Sequence, residues 1–204
     1  MRYHRLHGFL RGAGAGEVSA LLALLGLLAG CATSTTERRR LRPLRTVERV
    51  ELGRYLGTWY EIASFPQRFQ RGCTATTATY TARDDGQIDV LNRCRKDSLD
   101  GEEKSAKGRA RVVDPVSNAR LEVSFFRPFW GDYWIIDLDA DYQFAVVGHP
   151  NRDYLWILSR AAALPEATYQ AILSRLEAQG YETERLVPTL QPAEAGQARA
   201  PRTP

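Results

Sequence analysis

The sequence predicts an all-β domain: an eight-stranded antiparallel up-and-down barrel with one C-terminal helix packed outside it. Three observations carry that prediction. Strand signals follow one another at short intervals from Leu56 to Arg160. Some of them alternate charged residues with small or apolar ones, as the wall around an enclosed space requires. A single amphipathic stripe, Tyr169, Ile172, Leu173 and Leu176, follows at the i, i+3, i+4, i+7 spacing of a helix.

The chain begins with a targeting signal. Arg2, Arg5 and Arg11 form a basic region, and Val18 to Ala29 an apolar one of about a dozen residues, short of the ~20 that span a bilayer. Leu28-Ala29-Gly30-Cys31 closes it and resembles a bacterial lipobox. In signals of that type the chain is cut before the cysteine and the thiol is diacylated. Residues 1–30 are therefore expected to be a lipoprotein signal peptide, and acylated Cys31 the membrane anchor. Two or three acyl chains hold stably where one would be marginal. Ala32, rather than Asp, follows the cysteine and points to the outer membrane, facing the periplasm. Residues 31–46, with Arg38-Arg39-Arg40, read as the lipidated cysteine and a flexible tether.

The barrel and its helix are expected over 47–187. The strands run Leu56–Phe65, Cys73–Ala82, Gln87–Arg95, Glu102–Val113, Ala119–Phe126, Asp132–Leu138, Tyr142–Gly148 and Tyr154–Arg160. Asp84-Asp85-Gly86 turns the second into the third. The helix spans 165–180, with Pro165 in its first turn and Gly180 just past its end. Tyr181–Val187 adds a short extra strand, and 188–204, rich in Pro, Ala and Arg, reads as a disordered tail.

Alternation separates the faces. Lys107, Arg109 and Arg111 share one face of the fourth strand; Ala106, Gly108, Ala110 and Val112 share the other. Small residues turned inward leave room, and an eight-stranded barrel holds one small ligand. The last two strands are apolar on both faces, so the helix is expected to cover them.

Composition narrows the chemistry. A net charge of +4, without a clustered basic face, does not describe a nucleic-acid binder. Beyond the leader there is one histidine, His149, and no G-x-S-x-G, C-x-x-C or His/Cys cluster, so neither a nucleophilic triad, nor a metal site, nor a cofactor is expected. Asp137, Asp139 and Asp141 fail the calcium-loop pattern, because Tyr142 stands where the glycine belongs. Cys73 and Cys94 are an even pair in an oxidising compartment, and a bridge is expected. Spacing leaves two free thiols open: a two-residue loop at Asp85-Gly86 would set Cys94 opposite position 77.

At this point the sequence resembles the lipocalin family. Gly57-Thr58-Trp59-Tyr60 matches its G-x-W motif at the first strand, Asp141-Tyr142 the second motif, and Arg160 the third, all in order around eight strands. Leu52 to Ala63, Ser124-Phe125-Phe126 with Pro128-Phe129, and Asp153 to Arg160 resemble more closely the bacterial outer-membrane lipocalins. The resemblance implies structural roles for Gly57, Trp59, Asp141, Tyr142 and Arg160, with the Arg160 guanidinium over the Trp59 indole at the narrow end. It also implies fatty acid or (lyso)phospholipid ligands, stored or moved at the outer membrane, and a possible homodimer. By parity with Trp59 and Arg160, Glu61, Tyr154 and Trp156 are expected to face the cavity. Tyr80, Val90, Leu121, Val123, Phe125, Trp134 and Ile136 are further lining candidates. Buried Glu61 would either pair with an interior group or meet a ligand's polar end. An enzyme on this barrel, or a barrel filled by its own side chains, are the competing readings. The first lacks an evident acid–base pair, and the second would favour larger residues than Ala106, Gly108 and Ala110. Cys31→Ser is expected to abolish incorporation of labelled palmitate and to release the protein from the membrane fraction; retention of both would refute the lipobox reading.

Overall fold

A computed structural model describes residues 42–192. The leader, Cys31 and residues 193–204 lie outside them. A short helix α1 (Leu52–Tyr55) precedes β1 (Gly57–Ser64). A 3₁₀ turn (Arg68–Gln70) leads to β2 (Cys73–Ala82), β3 (Ile88–Lys96), β4 (Glu103–Val112) and β5 (Arg120–Phe126). Then come β6 (Phe129–Leu138), β7 (Phe144–Gly148), β8 (Leu155–Ser159), the helix α2 (Glu166–Ala178) and a two-residue β9 (Val187–Pro188). Strands β2 to β8 pair antiparallel in chain order, β8 returns to β1, and β1 pairs with β2. The eight-stranded barrel is thereby closed.

Two apolar clusters divide the strands by face. Tyr55, Trp59, Tyr80, Val90, Leu121, Ile135, Ala145, Val147 and Leu158 meet inside the barrel. Phe65, Ile136, Val146, Leu155 and Ile157 meet outside it, beneath Ile172 and Leu176 of α2. This is why β7 and β8 are apolar on both faces. Tyr169 and Leu173 flank the same helix stripe, and Arg175 pins α2 to β6 through Asp137 at 2.7 Å. Gly180, at φ +83°, takes the left-handed position that ends the helix.

Several boundaries shift. Strand β6 starts at Phe129 rather than Asp132, because Phe126 and Phe129 pair directly across a tight turn. α1 is one turn long and left no periodic signal. The expected tether ends earlier than 46: Leu44 is buried beneath α2, and the Val47 amide donates to the Ile135 carbonyl. The expected tail begins later than 188, because residues 187–191 are stitched to the barrel. Beyond Tyr60, β1 leaves β2, and β9 takes up the freed edge by pairing with Ala63 and Ser64. The Ala75 amide then donates to Leu190, and Gln191 Nε2 bridges the carbonyls of Glu61 and Thr76.

Cys73 and Cys94 form a disulfide, with Cα atoms 5.4 Å apart. Two local departures bring them together. The β2–β3 turn has Arg83 opposite Gln87, one residue longer than a two-residue loop, which moves the partner of Cys94 back from position 77 to 76. A bulge between Thr74 and Thr77, with Ala75 at φ +49°, then swings Cys73 alongside. Replacing both cysteines by alanine is expected to cost about 3 kcal/mol for a loop of this length, lowering Tm by roughly 10 °C. Calorimetry under oxidising conditions measures it, and an unchanged Tm would mean the bridge does not constrain the chain.

Candidate functional site

The closed end is built around Arg160. Its guanidinium lies 3.7 Å from the centroid of the Trp59 ring. Its Nη atoms donate to the carbonyls of Arg54, Leu56 and Thr58 at 2.7, 2.9 and 2.9 Å. Gly57, at φ +93°, admits this approach; a side chain there would be strained and would meet Nη1 at 3.4 Å. Trp59 is fully buried, and its Nε1 donates to the Tyr55 carbonyl. Tyr142 receives the Glu51 amide on its hydroxyl and carries Arg54 over its ring, while Asp141 lies exposed in the β6–β7 turn.

Above this plug the Tyr55 and Tyr80 hydroxyls each lie within 2.8 Å of the Tyr133 hydroxyl. Burial pushes the Tyr80 phenol up to about 12, and it raises those of Tyr55 and Tyr133 well above the usual tyrosine range. Tyr133 was absent from the expected site residues; its inward position follows only once Leu121 is known to be its partner.

Register places the remaining candidates. Val90, Leu121 and Val123 face inward on β3 and β5. Phe125 lies against Gly108, where a Cβ would come within 2.8 Å of its ring. Trp156 faces inward beside Tyr154, their rings stacked 6.0 Å apart at the mouth. Trp134 and Ile136 correct the expectation. Trp134 sits opposite Gly148 on the outer face with Arg120 over its ring, and Ile136 packs in the cluster beneath α2. Alternation could not choose between two apolar faces, and a bulge at Ile136 re-phases the strand.

Glu61 faces inward and takes the first of its two expected roles. Ser64 and Thr189 donate to its Oε1, and Gln70 Nε2 donates to its Oε2 at 2.7 Å. Trp156 Nε1 in turn donates to Gln70 Oε1 at 2.9 Å. One carboxylate thus ties β1, the 3₁₀ turn over the mouth and the C-terminal segment together.

Several inward positions keep accessible surface: Ala78, Asn92, Val123, Tyr133 and Trp156 in part, while Ala106 is exposed where β4 runs past its pairing with β5. These positions run from the mouth down to Tyr133. At the mouth Phe69, Phe126 and Phe129 are 70%, 75% and 70% exposed. A different, open groove of about 690 Å³ lies on the outer face of β2 to β5, among Thr79, Leu91, Lys107 and Arg109. Among the described residues no cluster of His, Cys, Asp or Glu has the arrangement of a metal site.

A closed barrel with one plugged end, one open end and an accessible interior defines a small-ligand carrier. The chain belongs to the lipocalins: the Lipocalin-like domain family matches residues 50–191. It is 39% identical over 175 residues to the outer membrane lipoprotein Blc of Citrobacter freundii, covering 86% of this chain and 96% of that protein. It is 41% identical to temperature-induced lipocalin-1 of Arabidopsis thaliana, over 74% of this chain and 84% of that one. Apolipoprotein D of Mus musculus is 33% identical, over 71% and 78%. Insecticyanin from the tobacco hornworm shares the fold at a TM-score of 0.58 and 18% identity, over 73% of this chain and 85% of that one. Lipocalins of this kind bind small hydrophobic ligands.

The buried phenols give a pH test. Unfolded tyrosine ionises near pH ~10, whereas Tyr80 holds its proton to about 12 in the fold. Their contribution is complete below the unfolded value and is lost as pH rises through the folded one. Urea midpoints are expected to fall between pH 10 and 12, with late tyrosinate absorbance appearing together with unfolding; early ionisation without loss of structure would mean that the three phenols are not buried.

Proposed function

We propose that this lipocalin binds fatty acids or (lyso)phospholipids in its barrel, and stores or carries them at the outer membrane, to which acylated Cys31 anchors it on the periplasmic side. The observation that carries the reading is the partly accessible inward surface of Ala78, Asn92, Val123 and Trp156. Ala78, Val123 and Trp156 give it apolar side chains, with Asn92 the one amide among them, as suits a pocket for an amphiphile. Each methylene moved from water into it contributes ~0.8 kcal/mol, so a long acyl chain can exceed the cost of association. Exposed phenylalanines at the mouth give an acyl chain an apolar path inward. The relatives named outer membrane lipoproteins support the location. The accessible interior also weighs against a barrel filled by its own side chains.

The test uses the full-length chain carrying Cys31→Ser. Native mass spectrometry identifies any lipid that co-purifies, and tryptophan quenching follows titration with a fatty acid and with a lysophospholipid. Saturable one-site binding at micromolar or tighter affinity is expected. Trp156→Arg places a charge on the inward face and should weaken it at least tenfold while the fold survives. A barrel that is empty and ignores both lipid classes would refute the reading.

A further inference from the structure

The three phenols at the base of the cavity have one proton too many. Tyr55, Tyr133 and Tyr80 are joined by two hydrogen bonds, which use two of their three hydroxyl protons. Whichever way the chain runs, the third O–H meets no acceptor among the described residues. Tyr55 and Tyr80 are almost completely buried, so that donor points into a place where an unmet hydrogen bond is costly. Tyr133, the central phenol, is partly buried and packs against the inner apolar cluster.

The charges around the cavity have a direction. Beneath the phenols, on the other side of Trp59, Arg160 donates only to carbonyls and has no acidic partner among the described residues. At the opposite end stands Glu61, the one acid on an inward strand position among those residues. The base is thus donor-rich and positive, whereas at the mouth Glu61 is accompanied by Lys104, which shares the inward register of β4 with Ala106. An anionic group is favoured at the base. A bulky phosphodiester head does not suit the narrow end, whereas a carboxylate does.

We propose that Tyr55, Tyr80 and Tyr133 form a head-group subsite that receives the carboxylate of a fatty acid entering head first. The hydrocarbon chain then extends past Val123 toward Trp156 and the mouth. This rests on the lipid-binding reading above and narrows it to single-chain carboxylates.

The experiment compares a saturated C16 fatty acid, its methyl ester and a lysophosphatidylethanolamine of the same chain length on the full-length chain carrying Cys31→Ser. The acid is expected to bind at least tenfold tighter than the ester, the scale of a hydrogen bond to a charged group. Tyr133→Phe is expected to erase that preference and leave the ester within twofold. Equal binding of acid and ester by the unsubstituted Tyr133 protein overturns the subsite while lipid binding stands, as does tight binding of the lysolipid alone. No binding of any of the three overturns both. Because Tyr133→Phe strips two buried hydroxyls of their partner, a second measurement leaves the tyrosines intact. Stearate labelled with doxyl near its carboxyl (5-doxyl) should broaden the Trp59 indole N–H resonance, and stearate labelled near its methyl end (16-doxyl) that of Trp156. The reverse pattern overturns the head-first orientation.

Discussion

Arg160 stands where three parts of the chain must meet, and its planar fork is suited to that place. The last turn of α1 ends with carbonyls that have no helical partner. The guanidinium collects those of Arg54 and Leu56, adds that of Thr58 at the start of β1, and lays its face on the Trp59 indole. A lysine would offer one point charge and no plane, so it could not satisfy the same set. The end of β8 is thereby tied to the beginning of β1, which is where the sheet must close. The consequence reaches inward. Trp59 is held flat, its Nε1 holds the Tyr55 carbonyl, and the Tyr55 hydroxyl is delivered to Tyr133. The polar base of the cavity is a by-product of how the barrel is closed.

The other end is organised by irregularities in the strands. A one-residue slip exchanges the two faces of a strand. The bulge after Glu61 does this to β1: Trp59 and Glu61 face inward before it, and Ala63 and Phe65 face α2 after it. Ser64 returns inward and becomes a donor to Glu61. On β2 the bulge at Ala75 parts the strand from β1, and residues 187–191 fill the opening. A buried carboxylate is costly unless it is hydrogen-bonded. Glu61 is therefore a reason for the C-terminal segment to stay in place: Thr189 supplies one of its donors.

What could be read from the residues follows from this division. The strands, the helix stripe and the G-x-W, Asp141-Tyr142 and Arg160 set are local patterns, and the barrel was legible from them. So were the inward small residues of β4. Faces were less legible where both are apolar: Trp134 and Ile136 satisfy alternation equally well outside, beneath α2. The partners of Glu61 were not legible, because one lies 128 positions away in a segment whose composition reads as disordered. Tyr133 was missed for a related reason. Its neighbours Asp132 and Trp134 give no apolar rhythm, and only cross-strand register turns it toward Tyr80.

The two ends of the barrel differ in what it takes to open them. At the base, a fully buried indole, a multiply bonded guanidinium and the inner apolar cluster form one cooperative unit, so opening there means unfolding. At the mouth, the 3₁₀ turn is latched by Gln70, whose amide accepts from Trp156 and donates to Glu61. One neutral hydrogen bond of ~0.5–1.5 kcal/mol and one to a carboxylate of ~1.5–3 kcal/mol remain a smaller barrier than global unfolding. Release of Gln70 leaves Ser64 and Thr189 still bonded to Glu61, so the carboxylate stays satisfied while the turn moves away. The mouth therefore opens at a smaller cost than the base.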